Sequence, residues 1–233
     1  MKAHEQQLRN ALAASHKQAS RMEEEGFPLR QLESLQSWQR ERLSVTYADL
    51  LNDPQYRAAG HFFLEELYGG LDFRDRDREV EHVLPVMTRM LPDHVLLSMA
   101  DAFSLQALSF DLDIDMAMVL SESGISELGV ETYAVAYRQI GRGQDRKRQV
   151  ELIYKLGLEL NELVRHRMVL KLVRLLRIPA RAAGFGRLQG FLEDGLFAFR
   201  AMRDGKAFVE AISTRETRIM LALQSGKSDP FNL

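Results

Sequence analysis

Helix-forming residues run almost without interruption through this chain of 233 residues. Its six prolines (Pro28, Pro54, Pro85, Pro92, Pro179 and Pro230) are few and widely spaced. Leu, Ala, Arg, Glu and Gln dominate, and β-branched residues never alternate with polar ones over the length of a strand. This pattern predicts an all-α fold, a multi-helix bundle of about nine to ten helices in a single domain spanning 1–233.

Gly and Pro divide the pattern. A first helix is predicted over 2–25, with a thin apolar stripe of Leu8, Leu12, Ala19 and Met22. A second, from Pro28 to Val45, carries Leu32, Leu35, Trp38 and Leu43. Together, residues 1–46 are expected as a helical hairpin able to project from the rest. Further helices are predicted over 54–68, from Asp72 to about Pro92, and over 93–120, 126–140 and 144–177, the last bending near Gly157 or Arg165. Pro179 is expected to restart the chain before helices over 188–202 and 206–224. The tail over 225–233 is expected to fray.

Composition removes several functional classes. The chain is 45% hydrophobic and 27% charged with a formal net charge of −2, which does not suit intrinsic disorder. It has no cysteine, so disulfide frameworks, Cys-ligated zinc, iron–sulfur clusters and thiol nucleophiles are excluded. It has no uninterrupted apolar run of membrane-spanning length, and its first residues lack the apolar core of a signal peptide. A cytoplasmic location is the expectation.

Charge is segregated along the sequence. Residues 48–131 hold seventeen acidic and five basic side chains, a local net of −12, whereas residues 137–187 hold four acidic and thirteen basic, a net of +9. Acidic helices lying beside basic ones inside the fold would account for this. The alternative is a basic surface for an anion. Within the basic segment, Arg138, Arg142 and Arg146 recur at spacings of four. Farther on, Arg167, Lys171 and Arg174 share one helical face, with Met168, Val169, Leu172, Val173, Leu175 and Leu176 on the other. Such a cationic amphipathic helix suits either a core-facing position or an anionic membrane surface. No helix-turn-helix, zinc-finger or aromatic–basic ribbon pattern points to nucleic acid.

Metal and phosphate signatures are incomplete. Glu79 and His82 form one Glu-x-x-His pair, and His61 with Glu65 would complete a carboxylate–imidazole set, but ferritin-like di-metal sites use two such pairs. Glu162 and His166 are four apart instead. Asp111, Asp113, Asp115 and Glu122 mimic a calcium loop at four positions, yet Met116 stands where that loop needs glycine. Gly184, Gly186 and Gly190 do not follow a strand, so they do not read as a dinucleotide fingerprint. His61, beside Phe62 and Phe63, is the candidate axial ligand for haem; core or boundary placement is the simpler expectation.

The densest apolar stretch is Phe62-Phe63-Leu64-Glu65-Glu66-Leu67-Tyr68. Its apolar residues cover more than half of a helix circumference, so Glu65 and Glu66 are expected close to a core, needing partners or a proton. With Tyr68 and the arginines at 138, 142 and 146, they form a candidate ligand site; structural ion pairing is the competing expectation. This seven-residue run resembles the signature of the FFLEELY-motif proteins, a bacterial family. The resemblance implies an all-helical bacterial protein and implies no activity, cofactor or catalytic residue.

These readings favour a helical binding or scaffold protein for an anionic or partly apolar ligand or a protein partner, with no cofactor. A metal- or haem-dependent oxidoreductase built on His61, Glu65, Glu66, Glu79 and His82 is the alternative, and peripheral association with an anionic membrane through 165–177 is a further one. The thin stripe of the first helix also leaves room for self-association.

Overall fold

A computed structural model of the chain describes residues 3–64, 93–125, 127–182, 184 and 186–232. Every regular element among them is a helix: α1 Ala3–Met22, α2 Leu29–Thr46, α3 Ala48–Asn52, α4 Arg57–Phe62, α5 Asp93–Glu122, α6 Val130–Gln139, α7 Gly143–Leu163, α8 Arg167–Ala182, α9 Gly186–Ala201 and α10 Gly205–Gln224. The all-α multi-helix bundle expected from the sequence is the architecture found.

The longest element, α5, organises one half of the molecule. Its thirty residues span about 45 Å at 1.5 Å each. Leu96, Ala100 and Phe103, spaced by four and three, meet Leu8, Ala11 and Leu12 of α1. Ile114 and Ala117 meet Leu32 of α2. Met116 and Leu120 join Leu35, Tyr133, Tyr137, Ile219 and Leu223. A helix surrounded in this way is apolar on several sides. Among the described helices, α5 alone is long and apolar enough, by length and composition, to cross a membrane. Its Asp111, Asp113 and Asp115 are nonetheless engaged by side chains from α1, α2 and the start of α7, as befits a central packing element.

The structure departs from the sequence pattern at several points. Helices α1 and α2 both pack along α5, and the narrow stripe of α1 is filled by this one long neighbour, leaving Leu8 and Leu12 at 0% and 1% exposure. The helix expected over 54–68 begins late, as α4, because the Asp53 carboxylate accepts the Gln55 amide at 2.8 Å and stabilises a turn ahead of it. The helix expected over 144–177 ends at Leu163. There the amides of Arg165 and His166 bond back three residues, to Glu162 and Leu163, which tightens and closes the last turn. Helix α8 then runs through Pro179 instead of stopping before it. The tail is also held. Phe231 lies 5.7 Å from the Trp38 ring and 6.0 Å from that of Tyr133.

A second core joins α2, α3, α4, α7, α8, α9 and α10 through Leu43, Leu50, Ala59, Leu170, Leu196, Phe199, Phe208 and Val209. One close approach is at Gly157 on α7, where a Cβ would lie 2.7 Å from Val209 Cγ2 on α10. Only glycine permits these two helices to meet so closely. Helix α10 starts where the sequence says it should. The Asp204 carboxylate accepts the Ala207 amide at 2.9 Å, an N-terminal cap.

Candidate functional site

The densest apolar stretch proves to be an anchor where the structure describes it. Phe62 lies 5.4 Å from Phe191, and Phe63 lies 5.7 Å from Phe199 and 6.0 Å from Phe208. Gly195 faces the Phe62 ring, and a Cβ there would come within 2.7 Å of its edge. These rings dock α4 on α9 and α10. Glu65, Glu66, Tyr68, Glu79 and His82 lie outside the described residues. His61 is exposed on α4, and among the described residues no three His, Asp or Glu side chains gather in a manner that would hold a metal ion.

The basic segment divides in two. Its first half faces inward. The Arg142 guanidinium donates to Asp111 at 2.5 Å, to Asp115 at 2.6 Å and to Asp145 at 2.7 Å. Arg21 donates to the same Asp111 and Asp115 at 2.7 and 3.0 Å. Three carboxylates thereby raise the Arg142 pKa despite the opposing effect of burial. Asp111 and Asp115, one turn apart on α5, are the shared acceptors of two arginines; this is the internal pairing of acidic and basic segments. Arg138 donates to the Leu223 carbonyl at 3.2 Å.

Arg146 is deeper, at 7% exposure. It donates to Met116 Sδ at 3.1 Å and to Gln149 Oε1 at 3.4 Å, and its guanidinium sits 4.8 Å from the centre of the Tyr137 ring. Near it, Asp113 accepts from Gln39 Nε2 at 2.9 Å. Asp113 keeps some exposed surface as a residue, yet burial pushes its carboxyl up, with Gln39 and the Arg146 charge pulling the other way. Arg138, Arg142 and Arg146 thus each contact other parts of the fold.

The second half faces outward. Helix α8 carries Arg167, Lys171, Arg174, Arg177 and Arg181 and no acidic residue. Its inner side is set by Leu170, Val169 and Val173, which pack into the second core. On its outer side Met168, Leu175 and Ile178 are 82%, 77% and 80% exposed. At about 100° per residue, Met168 and Leu175 lie about 20° apart around the helix, with Ile178 about 60° farther on. Arg167, Lys171, Arg174 and Arg181, all exposed, occupy an arc of about 80° that includes Ile178. Arg174 stacks 4.6 Å over the Phe197 ring. The sequence pattern correctly groups Arg167, Lys171 and Arg174. It misplaces Met168 and Leu175, which it puts on one apolar face with the partly buried Val169 and Val173.

A short network fastens α8 to the body, chiefly to α9. Arg177 Nη2 donates to Glu193 at 2.6 Å and Arg177 Nε at 2.9 Å. Gln189 bridges Glu193 (3.0 Å) and the Val173 carbonyl (2.6 Å). Glu193 is only 6% exposed, and the Arg177 guanidinium holds its carboxyl below the usual carboxylate range. A depressed folded pKa contributes stability that is present above the ordinary value of 4.5 and is lost as pH falls through the depressed one. Glu193→Gln is thus expected to lower the thermal midpoint at neutral pH, with the two proteins converging under acid. The same variant should speed amide exchange across α8 and leave α5 unchanged; equal exchange in α8 would show that the network does not hold it. No sequence pattern announces this network, since its members lie sixteen residues apart on two helices.

Residues 5–230 match the model of a protein family described as a domain of unknown function, DUF8198. The chain belongs to this family. No curated protein and no solved structure matches it. The matched region, 5–230, includes α8.

Proposed function

We propose that this protein is a helical binding protein whose working surface is the outer face of α8, and that it takes a partner both anionic and partly apolar. The observation that carries the reading is the exposure of Met168, Leu175 and Ile178 among four exposed cations on a helix without acids. Single exposed apolar residues are ordinary on protein surfaces. A group of three at nearly full exposure, bordered by one sign of charge, is the pattern of a binding surface. Of the arginines nearer the core, Arg142 is held by aspartates, Arg138 by the Leu223 carbonyl and Arg146 by Met116 and Gln149, whereas the cations of α8 face outward.

An anionic aromatic dye tests this directly. Anilinonaphthalene sulfonate is expected to bind the folded protein and fluoresce. Met168→Ser/Leu175→Ser/Ile178→Ser should remove the signal, and Arg167→Gln/Lys171→Gln should weaken it. Val45→Ser, at another well-exposed apolar position (72%) on α2, should leave it unchanged. A dye signal indifferent to the α8 substitutions would end the reading.

A further inference from the structure

Building on that reading of α8, we infer that the partner is the surface of a bilayer containing anionic phospholipid. The apolar side chains stand out from the helix: Met168, Leu175 and Ile178 are each at least 77% exposed. A bilayer accepts protruding apolar residues on a helix lying in its interface and requires no complementary groove. The cations beside them have long aliphatic stems. Arg167, Lys171 and Arg181 make no ion pair among the described residues, so they are free to lie along the acyl boundary with their charges among phosphates. Among the described helices, α8 packs chiefly against α9.

The charge distribution along the chain points the same way. Residues 48–131 carry a net of −12 against +9 over 137–187. Part of each is neutralised by the Asp111–Asp115–Arg142 network, which lies away from α8 in sequence and on other helices. An anionic surface attracts the cations of α8. An acidic protein partner would use the same charges, but three residues on one convex helix offer it a small patch compared with standard protein interfaces.

The test is co-sedimentation of the full chain with vesicles of phosphatidylcholine alone, or with one-third phosphatidylglycerol, at low and high sodium chloride. The expected result is pelleting with the mixed vesicles only, falling as salt rises. Each cation at such a surface multiplies partitioning by about fivefold, so Arg167→Gln/Lys171→Gln/Arg181→Gln should weaken binding by about a hundredfold. Met168→Ser/Leu175→Ser/Ile178→Ser should abolish it. All these positions are exposed, and unchanged thermal midpoints would confirm that the variants fold.

No pelleting with anionic vesicles overturns the inference, as does equal, salt-independent pelleting with both compositions, or binding that survives both variants. A dimer in solution that the apolar variant dissolves, with vesicles left unbound, would assign the face to a second copy and likewise overturn it. Dye binding on α8 without vesicle binding refutes the bilayer and leaves the binding face standing; loss of both refutes both.

Discussion

Replacing Phe208 by alanine is expected to lower the free energy of unfolding by about 3–5 kcal/mol. Phe208 is 1% exposed. Its ring centre lies 5.4 Å from Tyr56, 6.0 Å from Phe63 and 6.3 Å from Phe199, the last edge-on at 89°. Each such pair adds about 0.5–1.5 kcal/mol beyond the burial of area. The void left by alanine would be walled by residues from three separate stretches of chain, around α4, in α9 and in α10, and these cannot all move inward without breaking other contacts. Because a domain is stable by only about 5–15 kcal/mol, this one change removes a large share. Urea denaturation should show a lower midpoint with an unchanged slope. Val45→Ser, at an exposed position, should stay within about 0.5 kcal/mol of the parent. A Phe208→Ala loss below about 1 kcal/mol would mean that the aromatic cluster is not the organising centre of this core.

The same cluster shows what could be read from sequence and what could not. Helix content and number were legible because Gly and Pro mark the boundaries independently of packing; α10 was expected over 206–224 and spans Gly205–Gln224. The apolar character of Phe62 and Phe63 was legible as burial. Their partners were not, since Phe199 and Phe208 lie more than a hundred residues away and no periodicity links them. The sequence pattern marks a bend near Gly157 or Arg165 and not a helix end at Leu163, because continuous Leu and Val spacing carries across it, whereas the break is made by backbone hydrogen bonds of the closing turn. Pro179 misled in the opposite direction, since a helix can tolerate it.

Charges were harder still. Arg138, Arg142, Arg146, Arg167, Lys171 and Arg174 have similar local patterns, spaced by three or four on helices. Whether such a side chain meets solvent or an aspartate depends on the rotation of its helix against its neighbours. Arg142 reaches aspartates twenty-seven and thirty-one residues earlier in the chain. Arg167 and Lys171 have no acidic helix opposite them among the described residues. The charge asymmetry of the sequence thus contained both outcomes, internal pairing for the first half of the basic segment and an open face for the second.

Arg146→Met is expected to separate the structural reading of that segment from a ligand-binding one most sharply. Methionine keeps much of the side-chain volume and removes the charge, so the effect is electrostatic rather than a cavity. The arginine is buried and held by Met116, Gln149 and the Tyr137 ring, and its Nε is buried without a partner. Its charge also offsets the burial of Asp113. Without it, Asp113 keeps its hydrogen bonds from Gln39 and Gln36 and loses the positive charge that offsets its burial. Removing the charge that offsets a buried carboxylate, together with the polar contacts it makes, places the expected loss at about 1–3 kcal/mol at neutral pH.

The sign with pH follows from the raised Asp113 pKa. A carboxyl whose folded value lies above its ordinary 3.8 binds its proton more readily in the folded state, so stability falls as pH rises through that interval. The substitution raises the folded value further. Its cost should therefore be smallest below the ordinary value, where Asp113 is neutral in both states, and grow to a plateau toward neutral pH. Adding Asp113→Asn should recover most of the loss, because the lone buried charge is then gone. If Arg146 instead served a ligand at an open surface, Arg146→Met would leave stability within about 0.5 kcal/mol at every pH, and the second substitution would rescue nothing.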